Sequence, residues 1–168
     1  MISVVFPGQG SQKIGMGLDF YNKFELVKEI FKKANDILGY KISDLIFDGS
    51  QDKLNQTIYT QPAIYLVGYS ICEILKKKNF FHKKEINFLA GHSLGEYAAC
   101  VVAGILSFTD AIHAVSARGR EMAAIHLDDA GKMASISAGM NTVAPLLEQV
   151  ESYVIAANKN CPTQTVIA

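Results

Sequence analysis

Ser93 carries the strongest chemical signal in this 168-residue chain. It lies in Gly91-His92-Ser93-Leu94-Gly95, a G-x-S-x-G pattern between an apolar run that reads as a strand (residues 86–90) and an apolar stretch that reads as a helix (residues 94–106). A turn this tight leaves no room for side chains two residues before and two after the serine, and glycine at 91 and 95 removes them. The hydroxyl is then thrust out at the apex. The Leu94 N–H, at the helix start, points where an oxyanion would form, and a donor of that kind is typically worth ~10²–10³ in rate. Ser93 is therefore a candidate nucleophile for acyl chemistry. The same five residues also suit a helix-capping turn with no chemistry.

A second signal is Arg118. The chain has 14 lysines but only two arginines, Arg118 and Arg120. Where a bare positive charge suffices the chain uses lysine, so an arginine points to a need for its planar fork. Ser107-Phe-Thr-Asp110 matches a capping box, with Asp in place of the usual Glu or Gln, and predicts a helix running to about Ile125. At about 100° per residue, Ala111, Val115, Met122 and Ile125 fall within about 60° of Arg118, whereas Arg120 points the opposite way, to solvent. A guanidinium in an apolar stripe needs an anionic partner. That partner is either a structural carboxylate elsewhere in the chain or a substrate carboxylate, unless the side chain snorkels out.

The other candidates are weaker. Gly8-Gln9-Gly10-Ser11-Gln12 follows the first strand and fails as a dinucleotide fingerprint, because Lys13 stands where the third glycine belongs. It also lacks the Gly-Lys-Ser/Thr ending of a phosphate loop. If the two strands are neighbours, it brings a backbone N–H or the Gln9 amide towards Ser93; otherwise it is an ordinary glycine-rich connection. The four histidines are His82, His92, His113 and His126. No metal pattern includes them, and none is placed as a general base for Ser93. The three cysteines, Cys72, Cys100 and Cys161, form no closed disulfide framework and read as reduced thiols.

The elements that must position these residues alternate in type. Strands are predicted at residues 2–6, 86–90, 133–137, 153–157 and from 165, the first two of them buried. An amphipathic helix runs through Phe24, Val27, Phe31, Ala34 and Leu38, with Gly39 as its C-cap. A second helix is predicted to open at Pro62, a favourable first position, and to close at Lys76, Lys77 and Lys78. A further helix is predicted at residues 142–151. This is an α/β pattern with a parallel sheet. With 16 basic and 16 acidic residues, the chain is no strongly basic nucleic-acid binder. It shows neither a membrane span nor a basic start before an apolar run, so a soluble, cytoplasmic protein is expected. Lys76–78 with Lys83 and Lys84 read as solvated charges, or as a dock for an acidic partner.

At these residues the chain resembles the malonyl-CoA:acyl carrier protein transacylases of bacterial fatty acid synthesis. The segments that carry the resemblance are Val5-Phe-Pro-Gly-Gln-Gly-Ser-Gln12, Thr60-Gln-Pro-Ala63, Gly91-His-Ser-Leu-Gly-Glu-Tyr-Ala98 and Arg118-Gly-Arg-Glu-Met122. The resemblance implies an α/β-hydrolase-like acyltransferase core over residues 1–125 and the start of a small ferredoxin-like subdomain over residues 126–168, cut short. It implies that Ser93 carries the malonyl ester, that Arg118 binds the malonyl carboxylate, and that Gln9 and Leu94 supply the oxyanion N–H groups. His92 would shape the pocket, Gln61 would line it, and Asn160 and Gln164 would lie at its edge, where Thr163 replaces the usual glycine. It implies no cofactor or metal. The substrates would be malonyl-CoA, a coenzyme A thioester, and phosphopantetheinylated acyl carrier protein, handled by a monomer when full length. The family's catalytic histidine lies beyond residue 168, so a fragment is expected, inactive alone. The rivals are a serine esterase or thioesterase and a non-catalytic acyl-carrier-binding module.

Overall fold

A computed structural model describes residues 2–80, 86–125 and 131–168. His82, Lys83, Lys84 and His126 lie outside the described residues. The chain divides into two compact units, Met1–Ile125 and His126–Ala168.

In the first unit, β1 (Ile2–Phe6) and β2 (Ile86–Gly91) form a parallel pair, with Phe6 opposite Gly91. The apolar runs predict strands buried on both faces. The structure corrects this. Phe6, Val4 and Leu89 join the core, but Val5 is 67% and Phe88 61% exposed. These two strands are therefore covered on one face among the described residues, and the alternation of a one-sided sheet wins over the apolar composition.

The helices follow as α1 (Leu18–Lys23), α2 (Glu25–Leu38), α3 (Ile42–Asp48), α4 (Gln51–Leu54), α5 (Thr57–Lys77), α6 (Gly95–Val102) and α7 (Phe108–Ala124). The expected stripe of α2 is buried at Val27, Phe31 and Ala34, and Gly39 caps it at φ 75°. Neither α1, α3 nor α4 is expected from the sequence. They are short, and periodicity is weak below two turns. Helix α5 starts at Thr57, not at Pro62, which lies inside it. An early proline forfeits a single helical bond. The Thr60 hydroxyl, donating to Leu54 O at 2.5 Å, ties the extra turn to the chain before it. Helix α6 stops earlier than the apolar run suggests. Gly104, at φ 78°, donates to Val101 O at 3.0 Å and Ile105 to Cys100 O at 2.9 Å, a Schellman ending.

The second unit holds β3 (Ala134–Ile136), α8 (Met140–Leu147), β4 (Ala156–Cys161) and β5 (Gln164–Ile167). Its antiparallel sheet has the order β3-β5-β4. Strand β4 starts later than the Val154-Ile155 run suggests, because it pairs with β5 across the short turn at Pro162-Thr163. The predicted helix over 142–151 is shifted to Met140–Leu147.

All three cysteines are free. Among the described residues no helix is long and apolar enough to cross a membrane.

Ser107 caps α7 as expected: its hydroxyl accepts from the Asp110 N–H at 3.0 Å and donates to Asp110 Oδ2 at 2.6 Å. Ser107→Ala is expected to cost about 1 kcal/mol, read as a lower urea midpoint with an unchanged slope. An unmoved midpoint would show that the cap contributes nothing.

Candidate active site

The turn after β2 is built by steric exclusion. A Cβ on Gly91 would collide with Gly95 and with the Glu96 nitrogen, and one on Gly95 would collide with the Phe6 carbonyl oxygen. The start of α6 therefore rests directly on the end of β1. The His92 N–H continues the strand pairing by donating to Phe6 O at 2.9 Å. Gly95 N–H then donates to His92 O and Glu96 N–H to Ser93 O, both at 3.0 Å.

Ser93 is held at φ 51°, in the left-handed region. A non-glycine residue there costs of order 1–3 kcal/mol and persists only where its surroundings impose it. Ser93 is exposed, while the Leu94 side chain beside it is 1% exposed and anchors the turn. Among the described residues no side chain hydrogen-bonds the Ser93 hydroxyl, and no acceptor takes the backbone N–H of Leu94 or of Gln9. The base that a serine nucleophile needs is thus not found at Ser93 among the described residues.

The loop after β1 lies against this turn. A Cβ on Gly8 would stand 2.6 Å from His92 O and 2.8 Å from His92 Nδ1. Glycine at 8 is a close-approach residue, and it brings Gln9 next to the serine turn. Gln9 then reaches α5: its Oε1 accepts from the Thr57 hydroxyl at 3.2 Å.

Thr57 leads on to Arg118. Its Oγ1 accepts from Gln61 Nε2 at 2.9 Å, Gln61 Nε2 also donates to Met122 Sδ at 3.2 Å, and Gln61 Oε1 accepts from Arg118 Nη1 at 2.7 Å. Gln61 is fully buried and Arg118 half-buried. Helix α7 can come this close to α5 because Gly119 faces the Thr57 carbonyl oxygen and the Ile58 backbone, where a Cβ would sit 3.0 Å from the former.

Arg118 makes no ion pair among the described residues; the two pairs found there are Lys28–Glu25 and Lys76–Glu73. The structural carboxylate that the sequence left open is therefore absent from these residues. A half-buried guanidinium held by one neutral amide has forks left over for an anion. The apolar stripe is less buried than helical geometry suggests. Ala111 and Val115 are buried, but Met122 is 43% exposed, so Arg118 lies where the stripe opens to the surface. Arg120 is exposed, as expected, and donates to Ser116 Oγ at 3.0 Å.

Gln9, Gln61, His92, Ser93, Leu94 and Arg118 thus all belong to the first unit. Asn160 and Gln164 belong to the second, where Asn160 Nδ2 donates to Gln164 Oε1 at 3.0 Å across the β4–β5 hairpin. His113 is exposed on α7. No group of three metal-ligating side chains occurs among the described residues. Thr57 is the residue that sequence reasoning missed. Its signal was the Thr57/Gln61 spacing of four, which puts both on one helix face, but a helix opening at Pro62 hides that spacing. Of the lysine cluster, Lys76 pairs with Glu73 at 2.9 Å.

The Gly95 contact makes a direct prediction. Gly95→Ala puts a methyl group onto the Phe6 carbonyl oxygen and is expected to cost about 3 kcal/mol, seen as a lowered urea midpoint. Wild-type stability in this variant would contradict the steric account of the turn.

A family model described as "Acyl transferase domain" matches residues 4–168. A malonyl CoA-acyl carrier protein transacylase of Haemophilus influenzae is 41% identical over 169 residues, which cover 99% of this chain and 54% of the relative. One of Bacillus subtilis is 39% identical over 171 residues, covering 99% and 53%. The chain thus spans about half the length of the curated relatives it matches. Among solved structures, an acyl-carrier-protein-S-malonyltransferase from Bartonella henselae matches with a TM-score of 0.89 at 37% identity, over 98% of this chain and 54% of that one. A malonyl-transacylase solved in complex with its type II PKS acyl-carrier protein matches with a TM-score of 0.87 at 37% identity, over 97% and 53%.

Proposed function

The chain belongs to the acyl transferase domain family, and on that premise we propose that it moves a malonyl group from malonyl-CoA to the phosphopantetheine thiol of acyl carrier protein through a malonyl ester on Ser93. The observation that carries this reading is the pairing of an exposed, left-handed serine with an arginine that has no carboxylate partner among the described residues, joined through Gln9, Thr57 and Gln61.

In the first half-reaction Ser93 Oγ attacks the thioester carbonyl carbon. The hydroxyl proton passes to a base, the C–S bond breaks, and coenzyme A leaves as the thiol. In the second, the carrier's thiol attacks the serine ester, and Ser93 recovers its proton. The base in this reading is the family histidine expected outside these 168 residues. The Gln9 and Leu94 N–H groups hold the tetrahedral oxygen. Arg118 holds the distal carboxylate by charge-assisted bonds, each worth about 1.5–3 kcal/mol. An acetyl group would leave that guanidinium without an anion, so the site prefers diacids. His92 shapes the pocket wall beside Gly8. Nucleophile, thioester and acceptor thiol account for every bond made and broken, so the reading needs no cofactor.

In the same reading Met1–Ile125 is part of an α/β-hydrolase-like core, and His126–Ala168 begins a ferredoxin-like subdomain. The β-α-β-β order of the second unit, with β5 between β3 and β4, supports the latter. The protein works in the cytoplasm as a monomer, with an acidic carrier protein as its partner. An esterase reading accounts for Ser93 but gives Arg118 no task.

Two measurements test the proposal in the protein that carries this chain. After exposure to malonyl-CoA, the intact mass should rise by one malonyl group that maps to Ser93 and disappears in Ser93→Ala; a label elsewhere, or release of free malonate alone, contradicts transfer. Arg118→Ala should lower malonyl transfer at least a hundredfold and raise the relative use of acetyl-CoA. Unchanged preference between the two donors would remove the carboxylate role.

A further inference from the structure

We propose that Thr57 is the positioning residue that couples the oxyanion loop to the carboxylate clamp, and that its hydroxyl sets the aim of Arg118. This rests on the reading of Gln9, Ser93 and Arg118 above.

The direction of the bonds from Arg118 to Thr57 follows from the guanidinium. A guanidinium has donors and no acceptor. It therefore meets Gln61 at Oε1, 2.7 Å away. The amide is oriented by that contact, and its nitrogen is left facing Thr57 Oγ1 and Met122 Sδ. Thr57 accepts one of those protons, so its own proton is free to go to Gln9 Oε1. Turning the amide over would set N–H against N–H at Arg118. Gln61 is fully buried, so water does not substitute for a lost partner, and an unpaired buried amide is costly.

Thr57 thus does two things with one atom. It accepts from the amide that holds Arg118, and it donates to the side chain of the loop that lies on the serine turn. Among the described residues, no other side chain has a hydrogen bond to both. Its backbone is fixed as well, since its carbonyl oxygen faces Gly119, the residue after Arg118. A change in where the clamp points is therefore passed to the oxyanion loop through a single hydroxyl.

Thr57→Val keeps the shape and removes the hydroxyl; Thr57→Ser keeps the hydroxyl. In the protein that carries this chain, ¹⁵N spectra of the side chains are the first readout. The Gln61 amide and Arg118 guanidinium signals should move in Thr57→Val and stay near wild type in Thr57→Ser. The second readout is transfer. Thr57→Val should lower kcat/KM about tenfold for malonyl-CoA and less for acetyl-CoA, which narrows the preference, while Thr57→Ser recovers it. Should Thr57→Val fail to fold, Thr57→Ala takes its place. Unmoved Gln61 and Arg118 signals overturn the proposal whether or not the protein transfers malonyl groups. Equal losses on both donors, shared by Thr57→Ser and tracking a lower Tm, overturn it too. If the signals move as expected but the wild type transfers no malonyl, the positioning role stands and the proposed function falls.

Discussion

The missing side chains at Gly91 and Gly95 are the constraint on which the site depends. They let the first turn of α6 sit on the last residue of β1. Any Cβ at either position would lift the helix off the strand end. Ser93, exposed and at φ 51°, stands in the turn between these two glycines. The contact is made of backbone on both sides, so no rotamer change relieves it. The parallel register of β1 and β2, with Phe6 opposite Gly91, serves the same end, because it sets the height at which the loop after β1 leaves the sheet. Gly8 then lets that loop lie against His92.

A second close approach places the arginine. Gly119 allows α7 to rest on the first turn of α5, and Thr57 and Gln61, four residues apart, lie on one face of that helix. The polar groups there form one directed chain, from Arg118 through Gln61 and Thr57 to Gln9. The one fully buried member, Gln61, has a single satisfied orientation, oxygen towards Arg118 and nitrogen towards Thr57. What has no ion pair among the described residues is the Arg118 charge itself. A guanidinium pinned by a neutral amide, at the point where an apolar stripe opens, is prepared for an anion from outside the described residues.

Much of this was legible in the chain. The G-x-S-x-G turn could be read because glycine spacing reports steric exclusion directly. The amphipathic face of α2 and the cap of α7 could be read because 3.6-residue periodicity and capping chemistry are local. What was not legible depended on tertiary contacts. The start of α5 is not legible because Pro62, a favourable first residue, lies here in the second turn, at the loss of one helical bond. The strands β1 and β2 look doubly buried in sequence, yet Val5 and Phe88 are exposed; an apolar run does not say which face is covered. That Arg118 meets an amide, and that Thr57 takes part at all, follows from two helices touching at Gly119, which no single helix encodes.

The most direct test is a crystal structure of the protein that carries this chain, trapped as its malonyl ester. The expected density continues from Ser93 Oγ, sets the ester oxygen against the Gln9 and Leu94 N–H groups, and ends with the distal carboxylate on the Arg118 guanidinium. An ester whose carboxylate lies in solvent or on another cation, with Arg118 still held by Gln61 alone, would contradict the clamp.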